Sequence, residues 1–175
     1  MTVAAESIQT FLCRLRAVKD YTAEPVDEQA LDAILEVGRW TGTGSNRQST
    51  EVVVIRDPAV KQQLGAWGAA PAAGAAVVLL LVVKEDGSPL DEGRMAERLC
   101  LGASAQGLGS TVATIKNEGP EEVKKLLGIP AEHRARTVIA IGHTDAEARK
   151  ARLAGPQRSP VGRKPLSEFA HRDRF

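Results

Sequence analysis

The chain has 175 residues, 43% of them hydrophobic and 26% charged, which is the composition of a soluble globular protein of one domain. This balance excludes a disordered chain, and two cysteines are too few for a disulfide scaffold. With 23 basic and 22 acidic residues the net charge is only +1, so the composition gives no support for nucleic-acid binding.

The amino terminus and the longest apolar run bear on the compartment. The first ten residues contain neither the basic segment nor the apolar segment of a secretion signal. The run 75–83 is too short to cross a bilayer. We therefore expect a cytoplasmic protein without membrane attachment, in which Cys13 and Cys100 are buried free thiols among apolar helical neighbours.

Helical and strand patterns alternate along the chain. Ile8, Phe11, Leu12 and Leu15 predict a first amphipathic helix that ends before Pro25. The other predicted elements, in chain order, are a helix capped by Asp27 and stopped at Gly42, strand 51–56, helix 58–67, strand 75–83 with both faces buried, helix 91–106, strand 111–115, helix 120–127 and strand 136–142. This order predicts an α+β or α/β fold with helices over a sheet.

Residues 149–175 differ from the rest of the chain. They contain eight basic residues, two acidic residues and three of the nine prolines. Such a segment cannot form a core by itself, so we expect an extended arm that lies on its own domain or on a partner subunit.

The sequence offers almost no side-chain catalyst. It contains neither a GxSxG nor an HExxH motif, and its three histidines have no metal-ligand spacing. The acidic pairs at 91–92 and 121–122 each open a helix, where the helix dipole explains them. Any chemistry is therefore expected to reside in a bound cofactor.

Three clusters could hold a flat polar ligand that carries a phosphate. Arg14, Arg16 and Lys19 follow the first helix, although cations there also complement any helix dipole. Residues 42–48 (GTGSNRQ) supply amide side chains between a helix and a strand, but they lack the third glycine of a dinucleotide fingerprint. The third cluster, residues 162–165, adds a cation in a segment stiffened by proline.

Several motifs, taken in order, resemble the nitroreductase family. The segment 15–21 (LRAVKDY) is similar to its R-R-S-[VI]-[RK]-x-[FY] opening, and 45–48 (SNRQ) to its S-x-N-x-Q-P loop. Residues 91–110 resemble its D-x-G-x-A…A-x-GLGS helix, and residues 127–130 resemble its LGIP turn. Residues 138–142 resemble its final strand, and residues 163–166 resemble its R-x-P-L arm. Each motif alone is weak, but the ordered set covers almost the whole chain.

The resemblance implies an α+β fold with a mixed or antiparallel sheet flanked by helices, in a homodimer whose arms are exchanged. It also implies FMN at the subunit interface and ping-pong electron transfer from NADH or NADPH to small acceptors such as nitroaromatics or quinones. The cofactor-binding residues that it implies are Arg14, Arg16, Ala17, Lys19 and Arg163 near the phosphate and ribityl chain, Ser45, Asn46 and Gln48 on the loop facing the flavin, and the backbone N–H groups of Leu108 and Gly109.

This sequence departs from the family pattern at the phosphate. Leu15 replaces the first arginine, Ala17 replaces a serine, Ser49 replaces a proline and Val161 replaces a lysine. These changes remove a guanidinium, a hydroxyl and an ammonium, so weaker FMN retention is expected. The connection 84–90 is short, which predicts a small lid or none over the flavin.

Three other functions remain open at this stage. A flavin-binding member of the family without turnover would be yellow but would not oxidise NAD(P)H. A nucleic-acid or protein-binding module that uses the basic tail would be colourless and strongly salt-dependent. An acyl-CoA-dependent transferase with 106–109 as its phosphate loop lacks an arginine just before that loop.

Overall fold

A four-stranded antiparallel sheet forms the centre of the computed structural model, which describes residues 7–155 and 162–175. Its strands are β1 (Thr50–Ile55), β2 (Val77–Val83), β3 (Gly109–Thr114) and β4 (Arg134–Gly142), in the spatial order β1-β2-β4-β3. β1 and β3 are therefore the edges. The α+β class and the antiparallel sheet agree with expectation.

Seven helices accompany the sheet in the described residues: α1 (Ile8–Arg14), α2 (Glu28–Arg39), α3 (Pro58–Ala66), α4 (Pro89–Ala105), α5 (Gly119–Leu127), α6 (Ala146–Ala154) and α7 (Leu166–Phe169). Their ends follow local chemistry. Asp27 caps α2 by accepting from the N–H of Ala30 at 2.8 Å. Gly128 ends α5 at φ 65°, a left-handed conformation that favours glycine.

The core lies on both faces of the sheet because every residue of β2 is buried. Leu79 and Ile139 pack with residues of α2 and α4 on one face, whereas Leu80 and Val138 pack against residues from α3 and α5 on the other. A strand covered on both sides reads as a continuous apolar run, which is how the sequence predicted it. No helix in the described part of the chain is long and apolar enough to cross a membrane.

Two expectations from the sequence are wrong. The tail does not begin as an extended arm at residue 149, because α6 runs through 146–154, with Asp145 as its cap. Its Arg152 forms an ion pair with Asp20, which fastens α6 to the body. Cys13 is exposed, whereas Cys100 is buried as expected.

The arm remains only for residues beyond α6. All of 162–175 is exposed, including Leu166 at 73% and Phe169 at 75%. Residues 156–161 lie outside the described chain, so the predicted departure at Val161 has no structural description. Two large apolar side chains in water favour a partner surface for this segment.

Candidate functional site

The segment between α1 and α2 is fixed to the edge of the sheet. The N–H of Val18 donates to the carbonyl oxygen of Ser110 on β3 at 2.8 Å, and Val18 is buried. The Tyr21 hydroxyl donates to the Val18 carbonyl oxygen at 2.6 Å. Residues 16, 17 and 19 are exposed around this anchor. The segment thus presents predicted site residues on a rigid support.

Arg16, Ala17 and Arg163 line one cavity of about 650 Å³, with Ser110 and Val112 of β3. The structure therefore brings together residues from the start and the end of the chain that the sequence placed at a phosphate. One terminal nitrogen of Arg16, Nη1, donates to the carbonyl oxygens of Cys13 and Leu15, both at 2.7 Å. Since a guanidinium has five N–H groups, Arg16 caps α1 and keeps donors for an anion.

Lys19 lies in a different cavity, of about 760 Å³, which separates it from Arg163. Gly68, Pro71, Lys116 and Arg152 line this cavity with Lys19, together with Val112, Ala113 and Thr114 of β3. The Asp20 carboxylate accepts from Arg152 Nε at 2.8 and 3.1 Å. This ion pair balances the charge of Arg152 and leaves Lys19 and Lys116 as excess cations.

The two cavities follow each other along β3, and Val112 lines both. We call the pair the β3 groove. Its smaller cavity, which we call the narrow end, contains Arg16, Ala17 and Arg163, and its larger cavity, which we call the wide end, contains Lys19 and Lys116. The groove runs along β3, with the cations Arg16 and Arg163 in one cavity and Lys19 and Lys116 in the other.

Lys116 and Arg152 were not among the residues that the sequence predicted for the site. Lys116 is a lone cation after the strand pattern, and Arg152 was counted with the tail. Their place in the groove depends on tertiary packing. No local pattern could have found them.

Leu108 and Gly109 play a structural part. The N–H of Leu108 donates to the carbonyl oxygen of Ala103 at 2.9 Å, where it helps to end α4. This N–H is engaged within the protein, which differs from the expectation that it faces a flavin. A Cβ on Gly109 would come within 2.6 Å of Thr144 Oγ1 and 2.7 Å of Val18 Cγ1. Glycine is therefore required for the packing of Val18 against β3.

Arg14 lies beside Leu108 and Gly109 rather than in the β3 groove. Together with Arg149 these residues line a separate cavity of about 420 Å³. The Arg14 guanidinium carbon is also 6.0 Å from the centre of the Phe11 ring. Its position in the last turn of α1 matches the dipole explanation for a cation there.

The loop with Ser45, Asn46 and Gln48 is exposed and has an unusual backbone. Each of these three residues has a positive φ, between 49° and 53°. A non-glycine residue in that region costs on the order of 1–3 kcal/mol, and such strain is typical of ligand-contacting segments. Two side-chain oxygens help to hold the loop: Asp91 Oδ2 accepts from the Gly44 N–H at 3.0 Å, and Thr43 Oγ1 accepts from the Gln48 N–H at 3.1 Å.

Helix α4 keeps this loop away from the cavity at its other end. Asp91, which holds Gly44, is in the first turn of α4, whereas Leu108 follows its last turn. At 1.5 Å per residue, Asp91 and Ala105 are about 21 Å apart along the helix axis. One copy of the chain therefore does not bring the loop and Leu108 to the same ligand.

The described residues contain no candidate metal site. Across 7–155 and 162–175, no group of three or more histidine, cysteine, aspartate and glutamate side chains is arranged to hold a metal ion. The cationic β3 groove is suited instead to an anionic or phosphate-bearing ligand.

The chain is similar to one protein family and to several known proteins. The Nitroreductase family profile matches residues 14–86, which include the segment at Arg16 and the loop at Asn46. The chain is 28% identical to an NADH dehydrogenase of Thermus thermophilus, over 83% of this chain and 91% of that protein. It is also 23% identical to an NADPH-flavin oxidoreductase of Vibrio harveyi, over 79% of this chain and 66% of that protein.

Solved structures extend the likeness to the whole fold. An FMN-dependent nitroreductase from Clostridium difficile superposes with a TM-score of 0.78 at 18% identity, covering 96% of this chain and 100% of the other. At that identity the likeness concerns the fold, and it extends beyond the region that the family profile matches.

Proposed function

Because the chain belongs to the nitroreductase family, we propose that it is an FMN-dependent oxidoreductase that takes electrons from NADH or NADPH and passes them to small acceptors. The observation that carries the proposal is the β3 groove, which has two guanidinium groups at its narrow end and a wide cavity at its other end. The relatives described as NADH dehydrogenase and NADPH-flavin oxidoreductase support the same class of reaction.

The residues of the groove fit FMN, a flat ring joined by a ribityl chain to a phosphate. Arg16 and Arg163 would hold the phosphate through charge-assisted hydrogen bonds. Ala17 would lie beside it without a hydroxyl to donate. The wide end, of about 760 Å³, is within the size range of sites for ring-shaped ligands, and Lys19 would lie there. When bound, FMN supplies the hydride-accepting and electron-donating chemistry that the side chains lack.

A homodimer would complete the site. The strained loop at Asn46 and Gln48 lines neither cavity of the β3 groove in its own chain, so a second copy would have to supply it. The exposed arm residues Leu166 and Phe169 favour the same assembly, since they need an apolar surface. The exchange of arms between two subunits is part of this proposal.

The open groove supports alternating use by donor and acceptor. The connection between β2 and α4 is a tight turn in which the N–H of Gly87 donates to the Lys84 carbonyl oxygen at 2.8 Å, and α4 begins at Pro89. This turn leaves no room for a helical lid in that connection. A single open pocket would bind the two substrates in turn, which gives ping-pong kinetics with parallel lines in double-reciprocal plots.

The test is made on the purified full-length protein. We expect a yellow protein whose released flavin is identified as FMN by chromatography, and which oxidises NADH or NADPH when a quinone or a nitroaromatic is added. A colourless protein that takes up no added FMN would contradict the proposal. A yellow protein without NAD(P)H oxidation would point instead to flavin binding without turnover, and intersecting kinetic lines would refute the shared pocket.

A further inference from the structure

A tryptophan follows the last turn of α2, where its neighbours hold it in one orientation in the solvent. Trp40 is 68% exposed. Its indole N–H donates to Glu36 Oε1 at 2.7 Å, and the guanidinium carbon of Arg39, which pairs with the same carboxylate, lies 5.4 Å from the ring centre. Because the indole N–H already has an acceptor, burial of the ring against another surface leaves no polar group unpaired. A ring held in this way loses little freedom on binding.

The segment after Trp40 runs along α4 to the strained loop. The carbonyl oxygen of Trp40 accepts from Arg98 Nη1 at 3.3 Å, and the Gly44 N–H donates to Asp91 Oδ2 at 3.0 Å. From Arg98 to Asp91 is about 10 Å along the helix axis. Leu90, which is 72% exposed, precedes Asp91. The loop is therefore flanked by two large exposed apolar side chains, Trp40 on one side and Leu90 on the other.

Helix α1 presents an apolar surface that its own chain leaves uncovered. Within residues 7–155 and 162–175, α1 has no buried residue, and Ile8 and Leu12, one turn apart, are both exposed. A helix of seven residues is marginal in water by itself, so it needs tertiary packing. Leu12 also lines the narrow end of the β3 groove. A segment that reaches this end of the groove from another subunit would therefore meet the apolar side of α1.

We propose that Trp40 and Leu90 form the centre of a homodimer interface, in which they pack on the apolar side of α1 of the second copy and set the loop at Asn46 over that copy's β3 groove. This inference rests on the proposed function, because it names the contact through which the second copy completes the site. The loop lines neither cavity of the groove in its own chain, and the side chains that flank it lie against the same partner as the loop. Since α1 borders the groove, it is the apolar surface that they meet there. Two-fold symmetry forms each contact twice.

The first test measures dissociation of the dimer by sedimentation velocity in the presence of excess FMN. Trp40→Ala should raise the dimer dissociation constant about thirtyfold or more, because buried tryptophans dominate the energetics of interfaces. Trp40→Phe keeps an aromatic ring and should raise it much less. The matched control is Leu126→Ala, which removes an exposed apolar side chain from α5 on the opposite face of the sheet and should leave the constant unchanged.

A double-mutant cycle identifies the surface that receives Trp40. Leu12→Ala should weaken the dimer as well, and most of its effect should disappear when it is combined with Trp40→Ala, because the two side chains contact each other across the interface. If the effects of the two substitutions multiply in full, Trp40 packs on another surface and the inference is wrong.

Flavin titration separates this inference from the proposed function. At concentrations where Trp40→Ala is a monomer, it should bind FMN more weakly than the wild-type dimer, because the loop of the second copy is missing. A yellow, active dimer whose dissociation constant does not change in Trp40→Ala would overturn the inference and leave the proposed function intact. A wild-type monomer that retains FMN and oxidises NADH or NADPH would do the same. A wild-type protein that binds no FMN would refute the proposed function itself.

Discussion

The Tyr21 hydroxyl donates to the carbonyl oxygen of Val18 at 2.6 Å and lies 3.0 Å from the carbonyl oxygen of Ala140 on β4. One phenol thus connects the segment that carries Arg16 and Lys19 to the sheet. The N–H of Val18 is bonded to Ser110, so this short stretch is fixed from both sides. The orientation of the β3 groove depends on these contacts.

Tyr21→Phe should therefore destabilise the protein and loosen the groove. The substitution keeps the ring and leaves the Val18 carbonyl oxygen without its hydroxyl donor, which costs about 1–2 kcal/mol in a partly buried site. Urea denaturation should show a lower midpoint with an unchanged slope. An unchanged midpoint would mean that water replaces the hydroxyl at no cost.

Stability should also fall in alkali. Burial is the main cause that raises the pKa of Tyr21 and the pKa of Cys100 above their ordinary values of 10.0 and 9.0. The unfolded chain then releases these protons at lower pH than the folded one. The contribution of the two groups is present in full below about pH 9 and is lost as the pH rises above it. Denaturation at a series of pH values should show the loss, and Tyr21→Phe should show less of it.

The narrow end of the groove gives a prediction about cofactor affinity. Arg163→Gln should weaken FMN binding tenfold to hundredfold, since a hydrogen bond to a charged group contributes about 1.5–3 kcal/mol. Ala17→Ser should strengthen it by adding a hydroxyl donor beside Arg16. Flavin fluorescence titration measures both, with Lys125→Gln as the matched control. Unchanged dissociation constants in both variants would place the phosphate elsewhere.

The sequence predicted the regular elements well where local chemistry determines them. β2 is an unbroken apolar run and is buried along its whole length, and Gly128 ends α5 where a glycine was expected to. The sequence pattern did not predict helix α6, because its basic residues continue the charge pattern of the tail. A signal was present, since Asp145 and Glu147 form an acidic start typical of a helix.

The candidate site was predicted only in part, for a physical reason. Arg16, Ala17 and Arg163 do meet in one cavity, and the family motifs identified them. The sequence also predicted Lys19 for this cluster. In the structure the buried Val18 lies between Arg16 and Lys19 at the edge of β3, and Lys19 lines the other cavity. The position of the Lys116 side chain depends on its contact with Gly68, which has no side chain of its own. The two residues are far apart in the sequence, so periodicity cannot reveal this contact.

The arm should hold two subunits together. Removal of residues 155–175 takes away Leu166 and Phe169, both largely exposed in the single chain. We expect the full-length protein to be a dimer by light scattering, and the shortened protein to be a monomer that has lost FMN. Leu166→Ser with Phe169→Ser tests the same contact without truncation. A full-length monomer that retains FMN would refute the shared site.

The final prediction concerns Gly109, where a methyl group would collide with the anchor of the groove. A Cβ there would lie 2.7 Å from Val18 Cγ1 and 2.6 Å from Thr144 Oγ1, so Gly109→Ala should cost about 1–3 kcal/mol of stability. Displacement of Val18 would also shift Ala17 and Lys19 and weaken FMN binding.

The matched control is Gly93→Ala in α4, where a Cβ meets nothing within 4 Å and should stabilise the helix by about 1 kcal/mol. In thermal denaturation, Gly109→Ala should therefore lower the midpoint temperature and Gly93→Ala should raise it. In flavin titration, only Gly109→Ala should show a reduced affinity for FMN. Equal stability of the two variants would show that Val18 can move away without disturbing the sheet.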